Sequence, residues 1–433
     1  MTGLFKEILG AQIWQAAILL CTMMVQLAAA RFIGPAGLGT TAVIVSVSSL
    51  CVLLIELNLQ SALVRAVSVA LPLERGQLKG NALEGRLALG LVLAPVAALV
   101  ASVVAENNKG LIFIGIIGAV IAQELNPGWW LQGIGKSSRS FLLNGCVSLT
   151  TCVIAIPLIY YIRKPAMENL LASAVGLTWY GTYWMGTHQF SQPASRLYLR
   201  IEEYIQFAWR HRSFLLGGAA VYLYLYPAQL LLASTRTVEE AGLYRVALMP
   251  GTAYYAITVA AFNAYYPRII RAHAAGETEY RSILRWLIVL IFGVGAIAWL
   301  AVDLGKGLFG MAIGHGFGLS VDLAPVLIIS KAIGGVGLVL RAALLAHSKE
   351  RLVFRIFFFV GLATLATNML IIPRYGLLGA AMVELTQETL HLLILLVVLF
   401  SISIHAYGSA RVGVDGQPES LPRITQDGNS MKQ

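Results

Sequence analysis

Read for apolar and polar positions, the chain is a succession of long, unbroken apolar runs joined by short polar connections. Twelve runs are long enough to cross the roughly 30 Å of a bilayer core: residues 12–32, 40–63, 86–105, 111–131, 141–162, 168–188, 213–233, 243–265, 283–303, 321–346, 353–372 and 377–403. A membrane β-barrel would alternate with period two in segments of about ten residues. These runs are continuous, so α-helices are the structure that satisfies their backbone in lipid. Between the first two, Gly34-Pro35-Ala36-Gly37-Leu38-Gly39 supplies the residues of a sharp reversal. The expectation is an all-α integral membrane protein with no soluble catalytic domain.

Composition agrees. The 433 residues are 58% hydrophobic and 12% charged, with mean hydropathy +0.75, and the charged share is about half that of soluble domains. The net charge of +10 is explained by its distribution. With the N-terminus inside, the inner connections hold Arg65, Arg75, Lys79, Arg86, Lys136, Arg139, Arg196, Arg200, Arg210, Arg212, Arg268, Arg271, Arg281, Arg285, Lys349, Arg351 and Arg355. The outer side has Arg31, Lys109, Arg163, Lys164, Arg236, Lys306 and Arg374. This places both termini in the cytoplasm and leaves no basic surface to assign to nucleic acid. Lys6 precedes a run too long for a signal peptide, and no cleavage site follows, so the first helix is expected to be retained. Cys21, Cys51, Cys146 and Cys152 lie inside apolar runs without metal-ligand spacing and read as small core residues. No cofactor is implied.

The inner loop near 189–212 divides the spans six and six: an N-terminal half (1–203), a C-terminal half (204–405) and a polar tail (406–433) expected to be disordered in the cytoplasm. Ala241-Gly242-Leu243-Tyr244 echoes Ala36-Gly37-Leu38-Gly39, Arg268 and Arg271 echo Arg65, and Leu345–Lys349 echoes Leu131–Lys136. Six spans per half keep the halves in one orientation, a parallel pseudo-repeat about an axis along the membrane normal. The Gly-rich segment 304–320, with His315, reads as a short outer loop or re-entrant turn.

Several motifs resemble those of the polysaccharide flippases of the Wzx type, within the MOP superfamily of MATE-like exporters. Arg31-Phe32-Ile33-Gly34-Pro35, Gly37-Leu38-Gly39, Glu56-Leu57-Asn58-Leu59 and Ala62-Leu63-Val64-Arg65 match "FLGPxxFGxY…DLGLxxAxxR", with Glu for Asp at 56 and Asn where Gly is common at 58. Pro127–Gly133 resembles "PxWxxQG", Glu240–Arg245 resembles "xxVGxYxxAxR", and Tyr266-Pro267-Arg268 resembles "FPxLS". Ile372–Ala381 is similar to "LIPxYGxxGAAxA". The resemblance implies a MATE-like fold, a bacterial inner-membrane location and transfer of an undecaprenyl-pyrophosphate-linked oligosaccharide between leaflets. That product feeds O-antigen, capsule or exopolysaccharide synthesis. The implied partners are membrane lipids, H+ or Na+ as coupling ion, and the polymerase and chain-length proteins of the same pathway.

The chemistry-bearing candidates are ionisable residues inside the spans, where a charge costs about 2.5–3.5 kcal/mol to insert. Lys331 and Glu388 fall near mid-membrane, and Glu384 lies one turn from Glu388 on the same helix face. Two carboxylates so placed cannot both ionise cheaply. A proton or sodium carrier would look like this, and so would a structural ion pair with Lys331. Glu56, Glu124 and Arg341 fall in the inner third, Arg31 and Arg245 at outer helix ends. Lys331, Arg341, Arg245 and Arg31 are the candidates for holding pyrophosphate or acidic sugar, with snorkelling the plainer account of Arg31 and Arg245. Glu384, Glu388, Glu124 and Glu56 are the candidates for ion coupling, and Glu56 with Gln60 could equally bond a neighbouring helix. Trp129, Trp130, Tyr160, Tyr161, Trp179, Tyr180, Trp184, Tyr222, Tyr224 and Tyr226 read as interfacial belts rather than sugar-stacking platforms. Gly334-Gly335-Val336-Gly337 reads as a site of close helix approach or bending, and His188 and His347 as interfacial.

Two other classes compete. A multidrug or cation antiporter of the same superfamily would want an acid-dominated cavity, whereas these spans carry both signs. A membrane-embedded polymerase or ligase would want a large outer catalytic loop. The outer loops here are short, which argues against an enzyme.

Overall fold

In the computed structural model the described residues are 2–56, 59–69, 72–104, 109–188, 200–210, 222–274, 279–346 and 349–412. The expected tail therefore falls largely outside them, as do His347 and most of the dividing loop. The secondary structure is helical throughout: α1 Thr2–Glu56, α2 Gln60–Val69, α3 Pro72–Val104, α4 Lys109–Glu124, α5 Gly128–Gly133, α6 Ser137–Ile162 and α7 Met167–His188. There follow α8 Arg200–Arg210, α9 Pro227–Thr235, α10 Val238–Ala274, α11 Glu279–Leu304, α12 Lys306–Ile313, α13 Gly318–Ala346 and α14 Glu350–Val412.

Among the described residues seven helical stretches are long and apolar enough to span a membrane. Two of these, Ile13–Glu56 and Arg351–Ser401, run to 44 and 51 residues. At 1.5 Å per residue each is about twice the bilayer thickness, so each holds two crossings. Both break at a glycine in the left-handed region: Gly34 (φ 80°) before Pro35, and Gly376 (φ 54°) after Pro373. At the second break Glu240 accepts the Leu377 N–H at 3.1 Å. α7 and α10, of 22 and 37 residues, are also long enough to cross a bilayer core.

Several boundaries differ from the sequence expectation. In the second span, α1 is described to Glu56 and α2 from Gln60, with residues 57 and 58 outside the described ones. The fourth breaks at 125–127, where Pro127 ends α4 and starts α5. The segment 304–320 contains α12, and the last helix continues beyond 405 to Val412.

α1 packs with α3, α4, α6 and α7, and α10 with α9, α11 and α13. The two groups meet where α1 crosses α10, with α9 and α12 alongside. Glycines allow that crossing: a Cβ on Gly39 would lie 1.6 Å from the Val238 carbonyl oxygen, and one on Gly242 1.9 Å from that of Pro35. The two echo motifs are thus the surfaces through which the groups touch. Among the seven described spanning stretches α13 is the most enclosed, with 78% of its apolar window buried, while α11, at 17%, lies on the periphery.

Candidate functional site: two buried ion clusters

α13 carries Lys331 at its midpoint, and α14 presents Glu384 and Glu388 to it from successive turns. The Lys331 ammonium pairs with Glu384 and lies 3.6 Å from Glu388. All three residues are less than 9% exposed. Two backbone gaps make the room. A Cβ at Gly334 would sit 2.6 Å from Glu388 Oε2, and one at Gly251 3.1 Å from Lys331 Cγ. The expected close approach at the glycine run is therefore an approach to a carboxylate. Tyrosines complete the coordination: Tyr224 donates to Glu388, and Tyr244 donates to Glu384 at 3.5 Å. Gln387 holds the Tyr224 carbonyl at 3.1 Å, and Ser330 bonds the Glu384 carbonyl at 3.2 Å. His391 Nδ1 lies 3.4 Å from the Tyr224 hydroxyl, while its buried Nε2 has no partner among the described residues. Arg341, also on α13, places its guanidinium 5.2 Å over the Phe357 ring that also touches His391.

A second cluster lies in the N-terminal group. Arg86 was expected in an inner loop. It sits instead within α3 at 2% exposure, because two carboxylates hold it there. Its Nε donates to Glu124 Oε2 at 2.7 Å, and Nη2 bonds Glu56. The fork geometry of guanidinium suits two acceptors at once. Glu124 is fully buried, and its Oε1 has no hydrogen-bond partner among the described residues. Gln60, at the start of α2, lines the same small cavity as Glu56. Lys79, also expected in an inner loop, is buried 5.1 Å above the Trp184 ring.

The remaining candidates lie on the crossing of α1 and α10. Arg31 Nη1 donates to the Met311 carbonyl at 3.0 Å, tying α1 to α12. Arg245 does not snorkel to an interface: it points into the seam within reach of the Glu168 charge, and its Nε is buried without a hydrogen-bond partner among the described residues. Glu168 accepts from Thr41. Ser46 bonds Gln229 at 3.2 Å and accepts from Tyr222 at 3.2 Å.

Sequence reasoning missed Arg86, Tyr244, Gln387, His391 and Glu168. It also assigned Trp129, Tyr180, Trp184 and Tyr224 to interfacial belts, yet each is under 8% exposed. The missed signal was the neighbourhood: a carboxylate deep in one span demands a donor from another, and these tyrosines and Arg86 were the donors available.

Comparison with protein-family models and with curated sequences finds no match. Solved structures do match. An inward-facing multidrug resistance MATE family transporter of the MOP superfamily aligns with a TM-score of 0.65 at 13% identity, covering 89% of this chain and 95% of that one. The lipid II flippase MurJ, in an inward closed conformation, aligns at 0.66 and 11% identity, covering 92% and 87%. The fold is MATE-like. An outward-facing multidrug resistance MATE family transporter of the MOP superfamily also aligns, at 0.57 and 13% identity over 92% and 96%. The multi-pass membrane architecture read from the apolar runs is therefore the architecture of the chain.

Proposed function

We propose that this protein is an ion-coupled flippase of the bacterial inner membrane, with both termini cytoplasmic. It would move an undecaprenyl-pyrophosphate-linked oligosaccharide between leaflets by rocking its two six-helix halves. The observation that carries the reading is the buried Lys331–Glu384–Glu388 cluster at the middle of the most enclosed described span. Burying three charges costs several kcal/mol each before pairing, and an apolar trio would pack as well, so stability alone gives little reason to keep them. Support for the lipid-linked substrate comes from the ordered motifs that resemble Wzx-type flippases, and from a fold shared with a lipid II flippase.

The mechanism is one of competition. Lys331 and the coupling cation want the same carboxylates. A proton or Na+ taken up by the Glu384–Glu388 pair weakens its hold on the ammonium, which is then free to meet a pyrophosphate, with Arg341 beside it. Arg31 and Arg245 meet the same anionic headgroup when the outer seam parts. Ion binding and substrate binding are thereby linked, each at the expense of the lysine–carboxylate pair.

One observation favours a cation antiporter instead: the cluster holds two carboxylates to one lysine, and MATE multidrug transporters share the fold. Reconstitution into liposomes separates the two. The flippase reading requires labelled lipid-linked oligosaccharide to become accessible on the opposite leaflet in response to a proton or sodium gradient. Cation efflux under the same gradient with no movement of the lipid-linked sugar would overturn it in favour of the antiporter.

A further inference from the structure

At the end of the bundle where α3 and α6 start and α7 stops, a lysine is buried without a counter-ion. Lys79 is 7% exposed, and among the described residues it makes no hydrogen bond or ion pair and has no carboxylate beside it. What meets its ammonium is two indole faces, Trp184 at 5.1 Å and Trp130 at 5.6 Å. The Trp184 ring is fixed in place, its N–H donating to the Leu125 carbonyl at 2.6 Å. Indole faces attract a cation, but they give its three N–H groups no lone pair, and a buried ammonium needs both acceptors and a counter-charge. A second cation stands close by. Trp130 lies within hydrogen-bonding reach of the half-buried Tyr183 hydroxyl, and Tyr183 within reach of the Arg139 charge. Arg139 is exposed and makes no ion pair among the described residues.

The depth of these groups points to what the counter-ion is. Lys79 and Arg139 each stand one residue inside the start of an apolar stretch, Leu78–Ser102 and Ser138–Ile162, and Trp130 stands near the end of Lys109–Gly133. That is the level of lipid headgroups, where basic pockets between helices take anionic lipid. One turn deeper, Leu142 on α6 and Trp179 on α7 are 41% and 38% exposed, apolar surface on which acyl chains can lie. We propose that Lys79 and Arg139 hold the phosphate of one anionic glycerophospholipid of the inner leaflet, the leaflet following from the orientation of the cationic connections. Tyr183 donates its hydroxyl to that phosphate, and the chains run along α6 and α7. The headgroup supplies the buried ammonium with the counter-charge that the chain does not. An ethanolamine headgroup would bring a third cation to a place without a carboxylate, so the site selects a lipid of net negative charge, of the phosphatidylglycerol class. This lipid is resident rather than cargo, and the inference stands whatever the protein transports.

Lipid binding is measurable without transport. Purified full-length protein, stripped of lipid in maltoside detergent, is titrated with dioctanoyl phosphatidylglycerol or dioctanoyl phosphatidylethanolamine, and native mass spectrometry reads the occupancy of the tightest lipid. Inorganic phosphate is then added as competitor. Wild type is expected to prefer phosphatidylglycerol by about tenfold or more, the worth of a hydrogen bond to a charged group, and to keep it in the presence of phosphate. Lys79→Met should erase that preference, and Lys79→Arg should restore it. Arg139→Gln, a change at an exposed position, should weaken phosphatidylglycerol by about fivefold, as expected for one basic residue at the membrane surface. Equal binding of the two lipids by wild type overturns the site. Displacement by inorganic phosphate at matching concentration overturns the lipid assignment in favour of a soluble phosphate. An unchanged preference in Lys79→Met, with the variant melting as wild type, overturns the role of the lysine. If Lys79→Met does not fold, an unchanged preference in Arg139→Gln overturns the proposal.

Discussion

Replacing Lys331 by Met removes the ammonium and leaves Glu384 and Glu388 facing each other, one helical turn apart and nearly dry. At 3.6 Å and an effective dielectric of about 20, each lysine–carboxylate pair is worth about 4–5 kcal/mol. Losing both pairs and keeping both negative charges would exceed the stability of most proteins, so a proton takes the lysine's place. Holding one at pH 7 on a carboxyl that ordinarily titrates near 4.3 costs about 4 kcal/mol, which sets the expected loss at about 3–5 kcal/mol, the usual penalty for orphaning a buried charge. The sign of the pH dependence follows. The folded variant binds a proton that its unfolded chain does not, so its deficit against wild type shrinks by about 1.4 kcal/mol for each unit the pH falls from 8 towards 5. Denaturant unfolding in detergent, followed by tryptophan fluorescence at pH 8, 6.5 and 5, measures this. Lys331→Met/Glu388→Gln should recover most of the loss at every pH. A deficit below about 1 kcal/mol, or one independent of pH, would mean that water already bathes the cluster, and the burial argument fails.

Three further outcomes follow from contacts elsewhere. Gly334→Ala puts a methyl 2.6 Å from Glu388 Oε2; it should cost about 1–3 kcal/mol and abolish gradient-driven transport, read from the same unfolding curves and from liposome flux. Arg86→Met should destabilise by about 3–5 kcal/mol, with Arg86→Lys recovering only part because an ammonium cannot present a planar fork to both Glu56 and Glu124; equal stability of the two variants would refute the two-carboxylate clamp. Gly242→Ala drives a methyl into the Pro35 carbonyl, so the α1–α10 crossing should part and a cysteine placed at Thr41 should react faster with a membrane-impermeant maleimide than in the unsubstituted background.

Most spans, and the break at Gly34-Pro35, were legible because membrane helices must be long, continuous and apolar and because Gly-Pro is a local means of ending one crossing and starting the next, while the start of the seventh span lies outside the described residues. The α4 break was announced by Asn126-Pro127-Gly128, but an apolar window averages over three residues and hides it. At the site, Glu384 and Glu388 were legible from spacing alone, since four residues on a helix fix a shared face. Their pairing with Lys331 was a possibility that only the packing of α13 on α14 decides. Arg86 was illegible for a different reason. An arginine at the start of an apolar run looks like a loop residue, and what draws it inward, Glu56 and Glu124, lies on two other helices. Arg245 failed in the same way: its depth is set by the crossing of α1 and α10, a contact between segments some two hundred positions apart.

The two clusters differ in their fixed cation. Arg86 engages one oxygen of each carboxylate through separate nitrogens, and its guanidinium stays charged at every physiological pH. Lys331 is a point charge on a flexible stem, shared unequally between Glu384 and Glu388. On the proposed coupling scheme, a cation arriving there would compete with the ammonium for the same two carboxylates, whereas the planar fork of Arg86 has no such freedom to withdraw. The lysine sits where α13 packs on α10 and α14, so of the two clusters it is the one through which that scheme would act on the packing of those helices.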